Sequence, residues 1–74
     1  MQVTIALHGV FRRGRFKETV EEVPEGTTLE DLAAHLQLPP VLLDIILLNG
    51  VHAGRSVVVK DGDRVAFLPL LEGG

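Results

Sequence analysis

Apolar residues alternate with small or polar ones at the start of the chain. Val3, Ile5 and Leu7 are separated by Thr4 and Ala6. A period of two with β-branched residues is typical of a strand with one buried face. The pattern therefore predicts a first strand whose odd-numbered side chains enter the core.

A second strand is expected to return antiparallel to the first. The segment from Gly9 to Arg15 has a glycine near each end and three arginines, as expected of a hairpin connection. The following strand is predicted from Phe16 to Val23. Because Val20 and Val23 are three residues apart, they cannot share a face of a regular strand, so we expect a bulge or an early strand end.

Helical spacing replaces this alternation after the turn at Pro24-Glu25-Gly26. The apolar positions that match one face of a helix are Leu29, Leu32, Ala33 and Leu36. Thr27 with Glu30, or Thr28 with Asp31, fits the capping box that begins many helices. The helix is predicted to end at Leu38-Pro39-Pro40.

The rest of the chain is predicted to be strands and turns. In order they are a strand at Ile45–Leu48, a turn at Asn49-Gly50, a short strand at Val57–Val59, a turn at Lys60–Asp63 and a last strand at Arg64–Leu71. The long helical connection allows the last strand to lie parallel to the first. The fold class is therefore α+β, a roll in which one main helix packs on one face of a mixed four- to five-stranded sheet.

Alternation also predicts what the outer face of this sheet carries. If Val65 and Phe67 point inward, Ala66 and Leu68 point outward. In the third strand, Ile46 and Leu48 would point inward and Ile45 and Leu47 outward. Leu47 and Leu68 are then expected side by side in an apolar patch, and such patches on monomers usually mark partner sites. Leu70 and Leu71 would extend the patch. Pro69, which would mark the end of the sheet, is also expected among the partner-binding residues.

In this order, the segments resemble the ubiquitin-like β-grasp sulfur carriers. The family includes the small subunit of molybdopterin synthase and the sulfur carrier of thiamine biosynthesis. The resemblance covers essentially the whole chain and rests on VPEGTTLEDLAAHL (Val23 to Leu36), LLNG (Leu47 to Gly50), VKDGDRVAFLP (Val59 to Pro69) and the final Gly73-Gly74. It implies a β-grasp domain at residues 1–71 and a flexible diglycine tail at residues 72–74.

The resemblance also implies a role for the terminal carboxylate of Gly74. An E1-like adenylyltransferase would adenylate it with ATP, and sulfur from a donor protein would then convert it to a thiocarboxylate. A larger acceptor synthase subunit would receive the sulfur. The chain itself would be a carrier and not an enzyme, and would bind no cofactor or metal. Since glycine has no Cβ, Gly73 and Gly74 suit passage through a narrow channel.

The resemblance leaves four functions open. Phe67-Leu68-Pro69 favours a carrier for molybdopterin or tungstopterin synthesis, although Leu70-Leu71-Glu72 departs from the usual ending of that subfamily. A carrier for thiamine thiazole synthesis is the close alternative. The other two are a ubiquitin-like modifier and a β-grasp interaction module without C-terminal chemistry.

Composition narrows the picture further. The chain has 74 residues, 46% of them hydrophobic, which predicts one folded domain. It has no cysteine and a formal net charge of −3, which argues against disulfides, thiolate sites and general nucleic-acid binding.

We expect no signal peptide, no membrane segment and a cytoplasmic location. The basic loop of Arg12, Arg13 and Arg15 is interpreted as a solvated hairpin tip, and His8, His35 and His52 as surface residues.

Overall fold

The computed structural model describes residues 1–70, which form one mixed sheet with an α-helix on one face. The elements are β1 (Gln2–Leu7), β2 (Glu18–Glu22), α1 (Leu29–His35), β3 (Leu43–Leu48), β4 (Val51–His52) and β5 (Arg64–Pro69). The five strands lie in the order β2-β1-β5-β3-β4. β1 and β5 are parallel and the other pairs are antiparallel. The predicted fold class is confirmed.

The buried core lies between α1 and the inner face of the sheet. Val65 and Phe67 in β5 are fully buried, as the alternation predicted. Val3, Ile5 and Leu7 in β1 are buried as well, and the helix contributes Leu29, Leu32 and Ala33 to the same cluster. The core therefore consists mainly of the apolar positions that strand alternation and helical spacing predicted to be buried.

The second strand ends at Glu22, one residue before its predicted end, and its pairing with β1 shows no bulge. Val20 and Val23 lie on opposite faces of the sheet, so Val23 is buried while Val20 stays 58% exposed. The backbone N–H of Val23 donates to the Met1 carbonyl at 2.8 Å, which keeps the chain beside β1 after β2 has ended.

The connection between β1 and β2 is more than a solvated tip. A 3₁₀ turn at Gly9–Arg12 places the Phe11 side chain in the core, where it is only 1% exposed. This aromatic anchor was not predicted, because the sequence pattern marked the whole segment as a polar hairpin connection. The loop is thus fixed to the core at its middle.

The helix begins with the capping box of Thr28 and Asp31. The Thr28 hydroxyl oxygen accepts from the Asp31 N–H at 3.0 Å, and the Asp31 carboxylate accepts from the Thr28 N–H at 3.0 Å. The Thr27 hydroxyl instead donates to the Pro24 carbonyl at 2.7 Å. Of the two threonines that the sequence offered, Thr28 is therefore the N-cap.

Replacing Thr28 with alanine should lower the free energy of unfolding by about 1 kcal/mol, since the Asp31 amide loses its partner. Thr28→Ser keeps the hydroxyl oxygen and is the matched control, with an expected loss below about 0.5 kcal/mol. Urea denaturation followed by circular dichroism measures both values. Equal losses for the two variants would show that the hydroxyl does not act as the cap.

The predicted strand at Val57–Val59 is wrong. Only Val58 forms a bridge, to Thr28, and the segment is held against the start of the helix. The Leu29 N–H donates to the Val57 carbonyl and the Val59 N–H donates to the Thr27 carbonyl, each at 2.9 Å. The fourth strand is instead β4, which follows the predicted turn at Asn49-Gly50, where both residues have positive φ.

Candidate functional site

The chain leaves the sheet at Pro69, where β5 ends, and Leu70 is the last residue that the structure describes. We call this region the tail exit. On one side Gly9, with φ +57°, packs so closely that a Cβ added there would lie 2.9 Å from Cγ of Pro69. On the other side the Leu70 N–H donates to the Leu42 carbonyl at 2.6 Å. These two contacts fix the positions of Pro69 and Leu70.

The predicted reactive residues lie beyond this point. Gly73 and Gly74, the predicted catalytic pair, and Leu71, a predicted partner contact, fall outside the described residues. The proposed boundary between the domain and its tail therefore stays a prediction. The described part of the site is the surface around Pro69 and Leu70, the residues that precede residues 71–74 in the sequence.

The outer face of the sheet, opposite α1, carries the predicted apolar residues in a different pairing. Leu68 is paired across the strands with Ile45, and Leu47 is paired with Ala66. Leu47 and Leu68 are therefore diagonal neighbours and not directly opposite each other. All four side chains are half-buried. We call Ile45, Leu47, Ala66 and Leu68 the outer patch.

A shallow groove joins the outer patch to the tail exit. Its volume is about 280 Å³, and it is lined by His8, Gly9, Asp44, Ile45, Leu68, Pro69 and Leu70. Leu70 is 51% exposed, whereas Pro69 is buried against Gly9 in the free chain. Of the described partner-site residues, Leu68 and Leu70 therefore meet in one groove at the start of the tail, and Leu47 lies farther along the same face.

The outer face becomes polar toward β2. The Arg64 guanidinium lies 2.8 Å from the Glu18 carboxylate, and both side chains are about half exposed. The hydrogen bond and charge of Arg64 hold the pKa of Glu18 below its usual value, and Glu18 in turn raises the pKa of Arg64. A depressed carboxyl pKa contributes stability above the unfolded pKa and loses it as the pH falls through the folded value. Because the pair is exposed, the contribution is small.

Neither a metal centre nor a membrane-spanning helix is found in the described part of the chain. Residues 1–70 contain no group of three or more histidine, cysteine or acidic side chains that could hold a metal ion. His8, His35 and His52 are exposed and separate, as predicted. No helix among these residues is long and apolar enough to cross a bilayer.

Sequence reasoning missed three residues that shape the site. Ile45, and not Leu47, is the cross-strand partner of Leu68, because β3 and β5 pair regularly from Ile45 with Leu68 to Leu48 with Val65. Gly9 and Leu42, which flank the tail exit, carry no signal of this role in the sequence. A glycine followed by an apolar pair, as in Gly9-Val10-Phe11, was the available hint of a loop that returns to the core.

The comparisons with known proteins agree with this geometry. Residues 7–74 match the model of the ThiS family, so the match includes both terminal glycines. No curated protein sequence matches the chain significantly.

Solved structures show the same fold. A Pyrococcus furiosus protein assigned as subunit 1 of molybdopterin converting factor has a TM-score of 0.75 and 24% identity, covering 96% of this chain and 99% of that one. Small archaeal modifier protein 1 of Haloferax volcanii has a TM-score of 0.76 and 17% identity, with 95% and 98% covered. A chain in the complex of subunits 1 and 2 of molybdopterin-converting factor from Helicobacter pylori has a TM-score of 0.65 and 24% identity, with both chains fully covered (100% each).

Proposed function

The chain belongs to the ThiS family of ubiquitin-like β-grasp sulfur carriers, and from this premise we propose that its reagent is the terminal carboxylate of Gly74. An E1-like adenylating enzyme activates this carboxylate, and sulfur then replaces AMP to leave a C-terminal thiocarboxylate. The observation that carries the proposal is the family match, which runs to Gly74 itself.

The chemistry explains why the activation step is needed. A carboxylate is a poor electrophile, because its negative charge repels the incoming nucleophile. Its oxygen attacks the α-phosphorus of ATP and releases pyrophosphate, and the acyl-adenylate then has AMP as a good leaving group. ATP binds the activating enzyme, and this chain supplies only the acyl group. Since Gly73 and Gly74 have no Cβ, they can enter a narrow active site.

The folded domain serves to present this group to partners. The outer patch and the groove that ends at Leu70 form one apolar surface beside the tail exit. An enzyme that takes in the tail also covers this surface, so that Leu47, Leu68 and Leu70 contribute apolar burial to binding. The Helicobacter pylori homologue is found in a complex with a second subunit. We propose a larger acceptor subunit of this kind, and a separate sulfur donor protein, as partners here.

Synthesis of the molybdopterin or tungstopterin cofactor is the proposed destination of the sulfur. The segment Phe67-Leu68-Pro69 supports it, and two structural relatives carry the molybdopterin-converting name. Thiamine thiazole synthesis is the alternative within the same chemistry. The cytoplasm, where ATP is available, is the proposed location.

A ubiquitin-like modifier is the second candidate, favoured by the likeness to small archaeal modifier protein 1. Modification would join Gly74 to lysines of other proteins. Lys17 and Lys60 are the chain's own lysines and would be its internal acceptor sites. High-mass conjugates in the native host that disappear when Gly74 is deleted would support this candidate.

Intact mass of the protein isolated from its native host tests the sulfur-carrier proposal. Replacement of oxygen by sulfur adds about 16 Da, the same nominal gain as oxidation of Met1 to its sulfoxide. Trypsin separates the two, because cleavage after Arg64 gives a C-terminal peptide, residues 65–74, that contains no methionine. We expect the gain on this peptide. A peptide that stays unmodified while the carrier's pathway is running would contradict the proposal.

A further inference from the structure

The basic residues of the chain are concentrated beside the tail exit. Four of the seven lysines and arginines lie between residues 12 and 17, and no acidic residue occurs before Glu18. These four residues are Arg12, Arg13, Arg15 and Lys17. Together with Gly9 they line a broad, open depression of about 490 Å³. We call these four residues the basic surface. It stands out on a chain whose formal net charge is −3.

One member of the basic surface holds the loop in place. The Arg15 guanidinium donates to the Phe11 carbonyl at 3.4 Å and to the Gln37 carbonyl at 3.3 Å. Because Phe11 is also buried in the core, the loop is fixed on both sides. A charge on a fixed loop binds with less loss of conformational entropy than a charge on a mobile one.

The other members keep their charges available. Arg12, Arg13 and Lys17 are exposed, and within residues 1–70 their side chains form no hydrogen bond or ion pair. Folding of the described domain therefore does not use these three charges. They are free to meet a negative surface.

The basic surface lies close in the chain to Gly9, the residue that contacts Pro69 at the base of the tail. Gly9 packs on Pro69, and the same residue opens the 3₁₀ turn that carries Arg12. A protein that surrounds the segment after Leu70 therefore approaches this loop closely.

We propose that the basic surface docks on an acidic rim around the tail-binding channel of the adenylating enzyme. This inference rests on the proposed function and adds to it the charge that the partner must present. We infer the adenylating enzyme as the partner, because both the sulfur-carrier and the modifier candidate require activation of Gly74.

A protein surface fits the depression better than a nucleotide or a nucleic acid. The depression is wide and open, and the residues that line it include no aromatic side chain on which a base could stack. The chain as a whole is acidic, which opposes binding to a polyanion. Complementary charge on a partner protein raises the association rate instead, and the effect decreases with ionic strength.

The test compares charge reversals in the adenylation reaction. The chain is mixed with the purified adenylating enzyme of the same organism, and formation of the acyl-adenylate is followed by pyrophosphate exchange. We expect the triple variant R12E/R13E/K17E to lower kcat/KM by about 10-fold or more at low salt, with kcat unchanged. At about 0.5 M salt most of the loss should disappear, since the Debye length is then roughly 4 Å.

Lys60 supplies a matched control. It lies in the turn next to Asp61, which accepts from the Gln2 N–H at the start of β1, whereas the basic surface follows the end of β1. Arg13→Glu and Lys60→Glu change the net charge equally, but only Arg13→Glu should lower kcat/KM. Melting temperatures of the variants establish that all remain folded.

Three results would overturn the inference and leave the proposed function standing. Equal losses of kcat/KM for Arg13→Glu and Lys60→Glu would show an effect of net charge and not of the basic surface. A triple variant as active as the wild type at low salt would show that the basic surface does not contribute to binding. Calorimetric binding of ATP to the isolated chain that is lost in the triple variant would replace it with a small-anion site. A wild-type chain that is not adenylated at all would instead overturn the proposed function, and the inference with it.

Discussion

Replacing Phe11 with alanine should lower the free energy of unfolding by about 3–5 kcal/mol, the usual cost of truncating a buried aromatic side chain. The side chain is 1% exposed and belongs to the same core cluster as Phe67. A domain of this size has a total stability on the order of 4–11 kcal/mol, so the variant should be close to unfolding at room temperature. Urea titration followed by circular dichroism measures the change.

Val10 provides the control for this experiment. It is the adjacent residue in the same 3₁₀ turn but is 44% exposed, so Val10→Ala should change the stability by no more than about 0.5 kcal/mol. A similarly small change for Phe11→Ala would mean that the loop is not anchored in the core. The basic surface would then lose the rigidity on which its docking role depends.

Replacing Gly74 with alanine should lower the rate of adenylation by about 100-fold or more. The added methyl group lies on the carbon next to the reacting carboxyl carbon, and a misplacement of roughly 1 Å can cost that factor. The folded domain should be unaffected, so the melting temperature is expected to stay that of the wild type. Pyrophosphate exchange with the adenylating enzyme measures the rate.

Gly54→Ala is the matched substitution elsewhere in the chain. Gly54 has no positive φ, and an added Cβ would meet no atom within 4 Å, so this variant should be adenylated at the wild-type rate. If Gly74→Ala were also adenylated at that rate, the absence of a Cβ at the terminal residue would not be a requirement of the adenylating site. A wild-type chain that is not adenylated would instead favour the interaction-module alternative, which needs no chemistry at the end of the chain.

Most of the fold could be predicted from local patterns in the sequence. Alternation in β1 and β5 identified the inward residues correctly, because a strand with one buried face allows only one choice of register. The three consecutive valines at Val57–Val59 gave the wrong element. Their β propensity is real, but their backbone partners are at Thr27 and Leu29, next to the helix, and propensity carries no information about partners.

The site was predictable only in part. Gly73-Gly74 and the outward direction of Leu68 follow from the sequence and from its family resemblance. The packing of Gly9 on Pro69 does not, since these residues are far apart in the chain and meet only when β1 and β5 pair in parallel. The pairing of Leu68 with Ile45 depends on how β3 and β5 align with each other, which no local pattern encodes.

The central position of β5 has a mechanical consequence. Residues 71–74, the segment proposed to enter partner enzymes, follow in sequence from a strand held on one side by β1 and on the other by β3. Tension applied through Leu70 runs along this strand, so the flanking hydrogen bonds are loaded in shear and must break together instead of one after another. An enzyme that draws the end of the chain into its channel therefore applies force along β5, where the hydrogen bonds to both neighbouring strands resist it together. The domain should stay folded under this force.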